Sequence, residues 1–212
     1  MSERTTVHLL RHGEVHNPAK VLYGRIPGFL LSTSGHDMAR AAADALRDRD
    51  VTVLVSSPLE RAQQTAVPLA ETLGLTPRID DRLIESANVF EGRTVEFGAG
   101  SLKSPSLWRH LYNPFTPSWG EPYSHIAARM ALAVEQARDE ARGHEAVCVS
   151  HQLPIWVARR HLEGRRLWHR PDRRQCGLAS LTSVTYDGDR LVALTYSEPA
   201  GEASRTKAPP GA

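Results

Sequence analysis

The sequence predicts an α/β fold, a three-layer α/β/α sandwich on a mainly parallel sheet of about six strands. Short apolar, β-branched runs have the length and composition of buried strands, and they lie at residues 5–10, 51–55 and 146–149. A helical pattern follows each run, and these patterns span residues 32–49, 58–73 and 153–162. Strands that alternate with helices are typical of a parallel sheet covered on both faces.

The other predicted elements complete one domain over residues 1–197. They are a short strand at 76–79, an amphipathic helix at 122–142 and a hairpin formed by 178–186 and 191–196. Residues 86–123 lack periodicity, and we expect an irregular excursion over the substrate side of the sheet, with one short helix near 106–112. The tail at 198–212 is rich in Pro, Gly, Ser and Ala, and we expect it to be disordered.

Composition indicates a soluble, cytoplasmic protein. The chain has 212 residues, of which 41% are hydrophobic and 24% are charged. It carries two cysteines without CxxC spacing, no signal-peptide pattern and no apolar run of membrane-spanning length. The net charge of +2 argues against a dedicated nucleic-acid binder, and almost all basic residues are arginine, which suits bidentate recognition of phosphate or carboxylate.

Charged and imidazole side chains follow each of the three predicted central strands. Arg11 and His12 come directly after the first strand, Arg61 lies on the opening turn after the second, and His151 follows the third. Ser57 and Pro58 have the pattern of an N-cap followed by a first helical residue. Because parallel strands end at one edge of a sheet, we expect these side chains to converge beside helix N-termini, where a phosphate would bind.

Such a site has the groups that phosphoryl transfer requires. A neutral imidazole can attack phosphorus and carry the phosphoryl group covalently. Arginine and histidine side chains neutralise the phosphoryl oxygens in the transition state, and a nearby carboxylic acid can protonate the leaving oxygen. The remaining histidines lack metal-ligand spacing, so the sequence predicts no metal site.

Several motifs, in order and spacing, resemble the histidine phosphatase superfamily, in its phosphoglycerate mutase-like branch. They are LLRHGE at 9–14, YGR at 23–25, SSPLERAQQTA at 56–66, LIE at 83–85 with EG at 91–92, WGEP at 119–122 and VSHQ at 149–152. The resemblance covers most of the chain and implies a phosphoglycerate mutase-like fold. It implies no cofactor.

The resemblance also implies catalytic roles for five residues. His12 corresponds to the phosphorylated nucleophile, and Glu85 to the proton donor. Arg11, Arg61 and His151 correspond to residues that bind the phosphoryl group.

We expect three further residues to bind phosphate or substrate. Asn17 resembles a polar residue that the family often places shortly after RHG, and Arg25 belongs to the YGR motif. Gln152 follows His151, where the family often has Gly. The identity of the acid is open at this point, because Glu91 and Glu121 are alternatives to Glu85.

We expect the function to be phosphomonoester hydrolysis, through phosphohistidine, of a small phosphorylated metabolite. The mutase members carry an acidic-Arg-His-Tyr-Gly stretch and paired arginines that residues 85–122 lack, which favours hydrolysis over a phosphoglycerate mutase-type transfer. A catalytically idle phospho-ligand binder is the other alternative.

Two features leave partners open. The spaced aromatic residues of the excursion suit a pocket wall, core packing or a homodimer interface. The basic run at 159–174, which contains Trp168, suits a solvated face or a second anion contact better than a nucleic-acid surface.

Overall fold

The structure is a computed structural model that describes residues 4–93 and 120–201. Six strands form one sheet, and they are β1 (Arg4–Arg11), β2 (Val51–Ser56), β3 (Arg78–Ile79), β4 (Glu145–Ser150), β5 (Leu181–Asp187) and β6 (Arg190–Ser197). Their order across the sheet is β3-β2-β4-β1-β5-β6. The first four in that order are parallel, whereas β5 and β6 form an antiparallel hairpin against β1. The predicted mainly parallel sheet is confirmed.

Four α-helices in the described ranges cover the two faces of this sheet. They are α1 (Thr33–Leu46), α2 (Glu60–Leu73), α3 (Tyr123–Glu140) and α4 (Gln152–Leu162). Side chains alternate along β1, so Val7 and Leu9 pack in a core with α3 and α4, whereas Leu10 packs in a second core with α1 and α2. The molecule therefore has the predicted three layers.

Local sequence explains where α1 and α2 begin and end. The Ser32 Oγ accepts a hydrogen bond from the Gly35 N–H at 3.0 Å, which caps the start of α1. Gly74 ends α2 in the left-handed region at φ 66°, a conformation that favours glycine. The start of α2 differs from the prediction, because Leu59 is its extended N-cap residue and Ser57 lies outside the helix.

The two described parts of the excursion, residues 86–93 and 120–123, are joined to each other. An antiparallel bridge joins Asn88 to Gly120, and residues 81–83 form a single 3-10 turn just before Glu85. The short helix predicted near 106–112, and the aromatic residues of the excursion other than Tyr123, lie outside the described residues. At the C-terminus the Gly201 N–H donates to the Glu198 carbonyl, and the rest of the predicted tail is also outside them.

No helix within residues 4–93 and 120–201 combines the length and apolar character needed to cross a membrane.

Candidate active site

Strand pairing brings the two histidines together. β1 pairs with β4 in parallel, with Arg11 opposite Ser150, so His12 and His151 leave the sheet at the same edge. Both side chains are fully buried, and their ring centroids are 5.1 Å apart. Because these neighbouring strands lie about 4.8 Å apart, their pairing brings the two histidine side chains together.

His12 is held in the tautomer that a nucleophile requires. Its Nδ1 lies 2.7 Å from the Gly13 carbonyl oxygen, and because a carbonyl can only accept, Nδ1 carries the proton. The buried Nε2 therefore keeps its lone pair, and it has no hydrogen-bond partner among the described residues. Burial, and then the charges of Arg61 and Arg11, hold the pKa of His12 well below its ordinary value. The imidazole is neutral at neutral pH.

The loop after His12 is fixed from two sides. The Gly13 N–H donates to the Thr65 Oγ1 at 3.1 Å, and the Thr65 hydroxyl donates to the Arg61 carbonyl at 2.7 Å. Gly13 also approaches Gly35 so closely that a Cβ at Gly13 would lie 2.4 Å from the Gly35 carbonyl oxygen. Thr65 thus joins the loop after His12 to the helix that carries Arg61.

Arg61 is a buried cation without a carboxylate partner in the described part of the chain. Its side chain comes from the first turn of α2 and is 1% exposed. Nη2 donates to the Gly24 carbonyl at 2.7 Å, and the guanidinium lies over the Tyr23 ring, 4.7 Å from its centroid. Nε has no partner among the described residues, and no ion pair within them involves Arg61. A buried guanidinium in this state is suited to binding an anion.

Arg11 and His151 complete the buried cluster. Arg11 ends β1 and donates from Nη1 to the Cys176 carbonyl at 2.7 Å. His151 Nε2 lies 2.8 Å from the Ser57 Oγ, so the residue predicted as a helix cap instead contacts the second histidine. Burial, and then the charges of Arg61, His12 and Arg11, lower the pKa of His151 well below its ordinary value.

Glu85 lies at the side of this cluster. It is 6% exposed, and its Oε1 accepts a hydrogen bond from the Ser86 N–H at 2.7 Å. Arg25 donates from Nε to the Glu85 carbonyl at 2.6 Å and fixes the backbone there. Burial chiefly raises the pKa of Tyr23, and the negative charge of Glu85 adds to this rise, which places the carboxylate near the Arg61 and Tyr23 pair.

The two alternative carboxylates have different surroundings. Arg129 binds Glu121 through two hydrogen bonds of 2.9 and 3.0 Å, and Arg25 adds a third at 3.1 Å, so Glu121 is committed to ion pairs. Glu91 accepts from the Asn88 N–H at 3.2 Å. Burial chiefly lowers the pKa of Arg61. The negative charges of Glu85 and Glu91 both oppose this lowering, and the effect of Glu91 is the smaller of the two. Glu121 is thus paired with two arginines, whereas Glu85 and Glu91 form no ion pair within the described residues.

The remaining predicted residues lie around the cluster. Gln152 donates from Nε2 to the Cys176 carbonyl at 3.4 Å, the same oxygen that Arg11 binds. Arg25 acts on the backbone of Glu85, as described above. Asn17 uses its amide to close its own loop, through hydrogen bonds of 2.8 and 3.0 Å to the Val21 backbone, and its contact with phosphate stays a prediction.

Within the described ranges, no group of three or more His, Cys, Asp or Glu side chains is arranged to hold a metal ion.

Comparison with known families shows which superfamily the chain belongs to. The family model of the histidine phosphatase superfamily (branch 1) matches residues 7–199. The chain belongs to this superfamily. Rv0525 of Mycobacterium tuberculosis is 60% identical over 200 residues, which cover 94% of this chain and 99% of that protein.

Two solved structures share this architecture. Mycobacterial glucosyl-3-phosphoglycerate phosphatase Rv2419c, in complex with VO3, is 29% identical with a TM-score of 0.74, and the match covers 93% of this chain and 99% of that one. A mutant phosphoserine phosphatase from Entamoeba histolytica, in complex with phosphoserine, is 20% identical with a TM-score of 0.74 over 93% and 98% of the two chains. The second match shows the fold alone. Membership of the superfamily and the match to Rv2419c support a phosphatase at this coarse level.

Sequence reasoning missed three residues that shape this histidine phosphatase-like site. Ser57 contacts His151, Thr65 links the loop after His12 to α2, and Tyr23 lies under Arg61. All three lie inside motifs, Tyr23 in YGR and the other two in SSPLERAQQTA. Their contacts could not be predicted, because each contact joins segments that are distant in the sequence.

Proposed function

We propose that the protein is a metal-independent phosphomonoester hydrolase that acts on a small phosphorylated metabolite through a phosphohistidine intermediate. The observation that supports it is the bare, buried Nε2 of His12, next to two buried guanidinium groups that affect its pKa. A neutral nucleophile beside positive charge is what attack on a phosphate dianion requires.

In the first step Arg11 and Arg61 neutralise the phosphoryl oxygens, and His151 adds a hydrogen bond to them. The His12 Nε2 lone pair forms a bond to phosphorus while the bond from phosphorus to the ester oxygen breaks. The Glu85 carboxyl gives its proton to that oxygen, and the alcohol leaves.

In the second step the Glu85 carboxylate takes a proton from water as the water oxygen attacks phosphorus. The bond from phosphorus to Nε2 breaks, which releases phosphate and restores neutral His12. A cleft of about 540 Å³ is lined in part by Arg25, Glu91 and Glu121, and Arg25 also donates to the Glu85 carbonyl. We propose that the leaving group occupies this cleft.

The test is a panel of phosphoesters assayed with wild type and H12A. The panel includes a phosphoglycerate ester, because the similar Rv2419c is named for one. We expect an acid-labile phosphoryl adduct in wild type, its loss in H12A, and a fall in kcat of about 10⁴-fold or more. H16A, at an exposed histidine on the following loop, is the matched control.

Three results would contradict the proposal. An adduct that persists in H12A would move the chemistry to another residue. Binding of phosphate without hydrolysis of any ester would favour an idle binding protein. Turnover of 3-phosphoglycerate that depends on 2,3-bisphosphoglycerate would favour the mutase alternative.

A further inference from the structure

Arg174 is a partly buried cation close to the site that the mechanism above does not use. It belongs to the basic run at 159–174, which has seven arginines against the carboxylates of Glu163 and Asp172. Its Nε donates to His169 Nε2 at 2.9 Å, and its Nη1 lies 3.4 Å from the Gln152 Oε1. Within the described residues it forms no ion pair with a carboxylate, in contrast to Arg159, Arg165 and Arg170 of the same run.

A short chain of hydrogen bonds connects Arg174 to the phosphate-binding cluster. Gln152 accepts from Arg174 and donates to the Cys176 carbonyl, and Arg11 donates to that same carbonyl. One carboxamide and one carbonyl therefore separate the two guanidinium groups. These bonds place Arg174 at the edge of the site. Burial chiefly lowers the pKa of Arg174, Tyr123 and Glu85 partly offset this, and the charge of Arg11 adds to the lowering.

His169 holds this guanidinium as a neutral acceptor. Its Nδ1 donates to the Leu167 carbonyl at 2.8 Å, which leaves the Nε2 lone pair for Arg174. Burial lowers the pKa of His169 to about 4, so the imidazole stays neutral at neutral pH. The ring packs against Tyr123 and Trp156, with centroids 5.3 and 6.0 Å away. The surroundings thus orient the cation without neutralising it.

We propose that Arg174 binds a second anionic group of the substrate, so that the enzyme prefers phosphomonoesters that also carry a carboxylate or a second phosphate. This inference rests on the proposed function, because it concerns the same site. Arginine recognises both groups through the same planar arrangement of donors. The net positive charge of the surrounding run would also attract doubly anionic esters.

The test compares esters that differ only in the second group. The carboxylate pair is 3-phosphoglycerate and glycerol 3-phosphate, and the phosphate pair is fructose 1,6-bisphosphate and fructose 6-phosphate. In wild type we expect a higher kcat/KM for the doubly anionic member of at least one pair, and the pair that responds identifies the group. In R174Q that preference falls about tenfold to a hundredfold, chiefly through KM, because one charge-assisted contact is lost.

R173Q is the matched control, since it removes the same charge from an exposed neighbour in the same loop. It leaves the preference of wild type unchanged. Calorimetric titration of the same four esters into the H12A protein, with and without R174Q, measures the preference without turnover. A wild type that hydrolyses no ester would refute the proposed function, and the titration would still decide the role of Arg174.

Equal preference in wild type and R174Q would overturn the inference, as would equal loss in R173Q. If R174Q does not fold, the wild-type measurement decides, because a protein that discriminates within neither pair has no second anion contact. R174K, which keeps the charge, retains part of the preference if the contact is ionic.

Discussion

Replacement of Arg61 by Met separates a ligand-binding arginine from a structural one. Without an anion, the variant loses the hydrogen bond to the Gly24 carbonyl, about 1.5–3 kcal/mol, and the contact with the Tyr23 face, about 2 kcal/mol. It also avoids the desolvation of a guanidinium that is 1% exposed, which costs several kcal/mol. These contributions nearly cancel, so we expect R61M to unfold with a free energy within about 1 kcal/mol of wild type.

Phosphate should then distinguish the two proteins. At a concentration about 100 times its dissociation constant, phosphate stabilises wild type by about 2.7 kcal/mol, and R61M gains much less. Urea unfolding with and without phosphate measures both quantities. R138M makes the same chemical change where Arg138 lies over Tyr186, remote from the site, and keeps the full gain from phosphate.

Two outcomes would refute this reasoning. A loss of about 3–5 kcal/mol in R61M without phosphate would show that Arg61 has a buried structural partner. An equal gain from phosphate in R61M and wild type would show that the anion binds elsewhere.

Three other changes test the histidines, the acid and the loop packing. Because the pKa values of His12 and His151 lie well below the ordinary 6.5, the unfolded chain binds more protons as the pH falls below that value, and stability is complete above it. In acid, these two residues should lower the free energy of unfolding, measured in urea, by up to about 2.7 kcal/mol per pH unit. H151N should reduce this pH dependence by about half, and an unchanged pH dependence would contradict the assignment. E85Q should lower kcat for alkyl phosphates about 10²–10⁴-fold and affect p-nitrophenyl phosphate less, since that leaving group needs no proton; a larger loss in E91Q would make Glu91 the acid. G35A places a Cβ 2.0 Å from the Glu14 carbonyl oxygen and should cost more than about 2 kcal/mol in the free energy of unfolding, which an unchanged urea midpoint would disprove.

The apolar strand pattern and the residues at the strand ends were sufficient to predict most of the fold. They also predicted that the buried arginine and histidine side chains lie close together. β1, β2 and β4 appear as apolar runs because both of their faces are covered. Arg11, His12, Arg61 and His151 converge because their strands are parallel neighbours, which topology dictates once the sheet is parallel.

Contacts between distant loops could not be predicted in the same way. Ser57 has the sequence pattern of a helix cap, yet its hydroxyl contacts His151 from another strand, and α2 begins later than predicted. Asn17 has the residue type of a phosphate ligand, yet its amide closes a local turn with Val21. A capping pattern or an amide fixes the kind of hydrogen bond, whereas the partner depends on tertiary packing.

The two imidazoles belong to residues that directly follow two adjacent parallel strands, so the pairing of β1 with β4 brings them together. Residues 86–93 and 120–123 take no part in that pairing. A lineage with this architecture can exchange the residues around the leaving group and acquire a new ester as substrate, while the chemistry at phosphorus is left as it was.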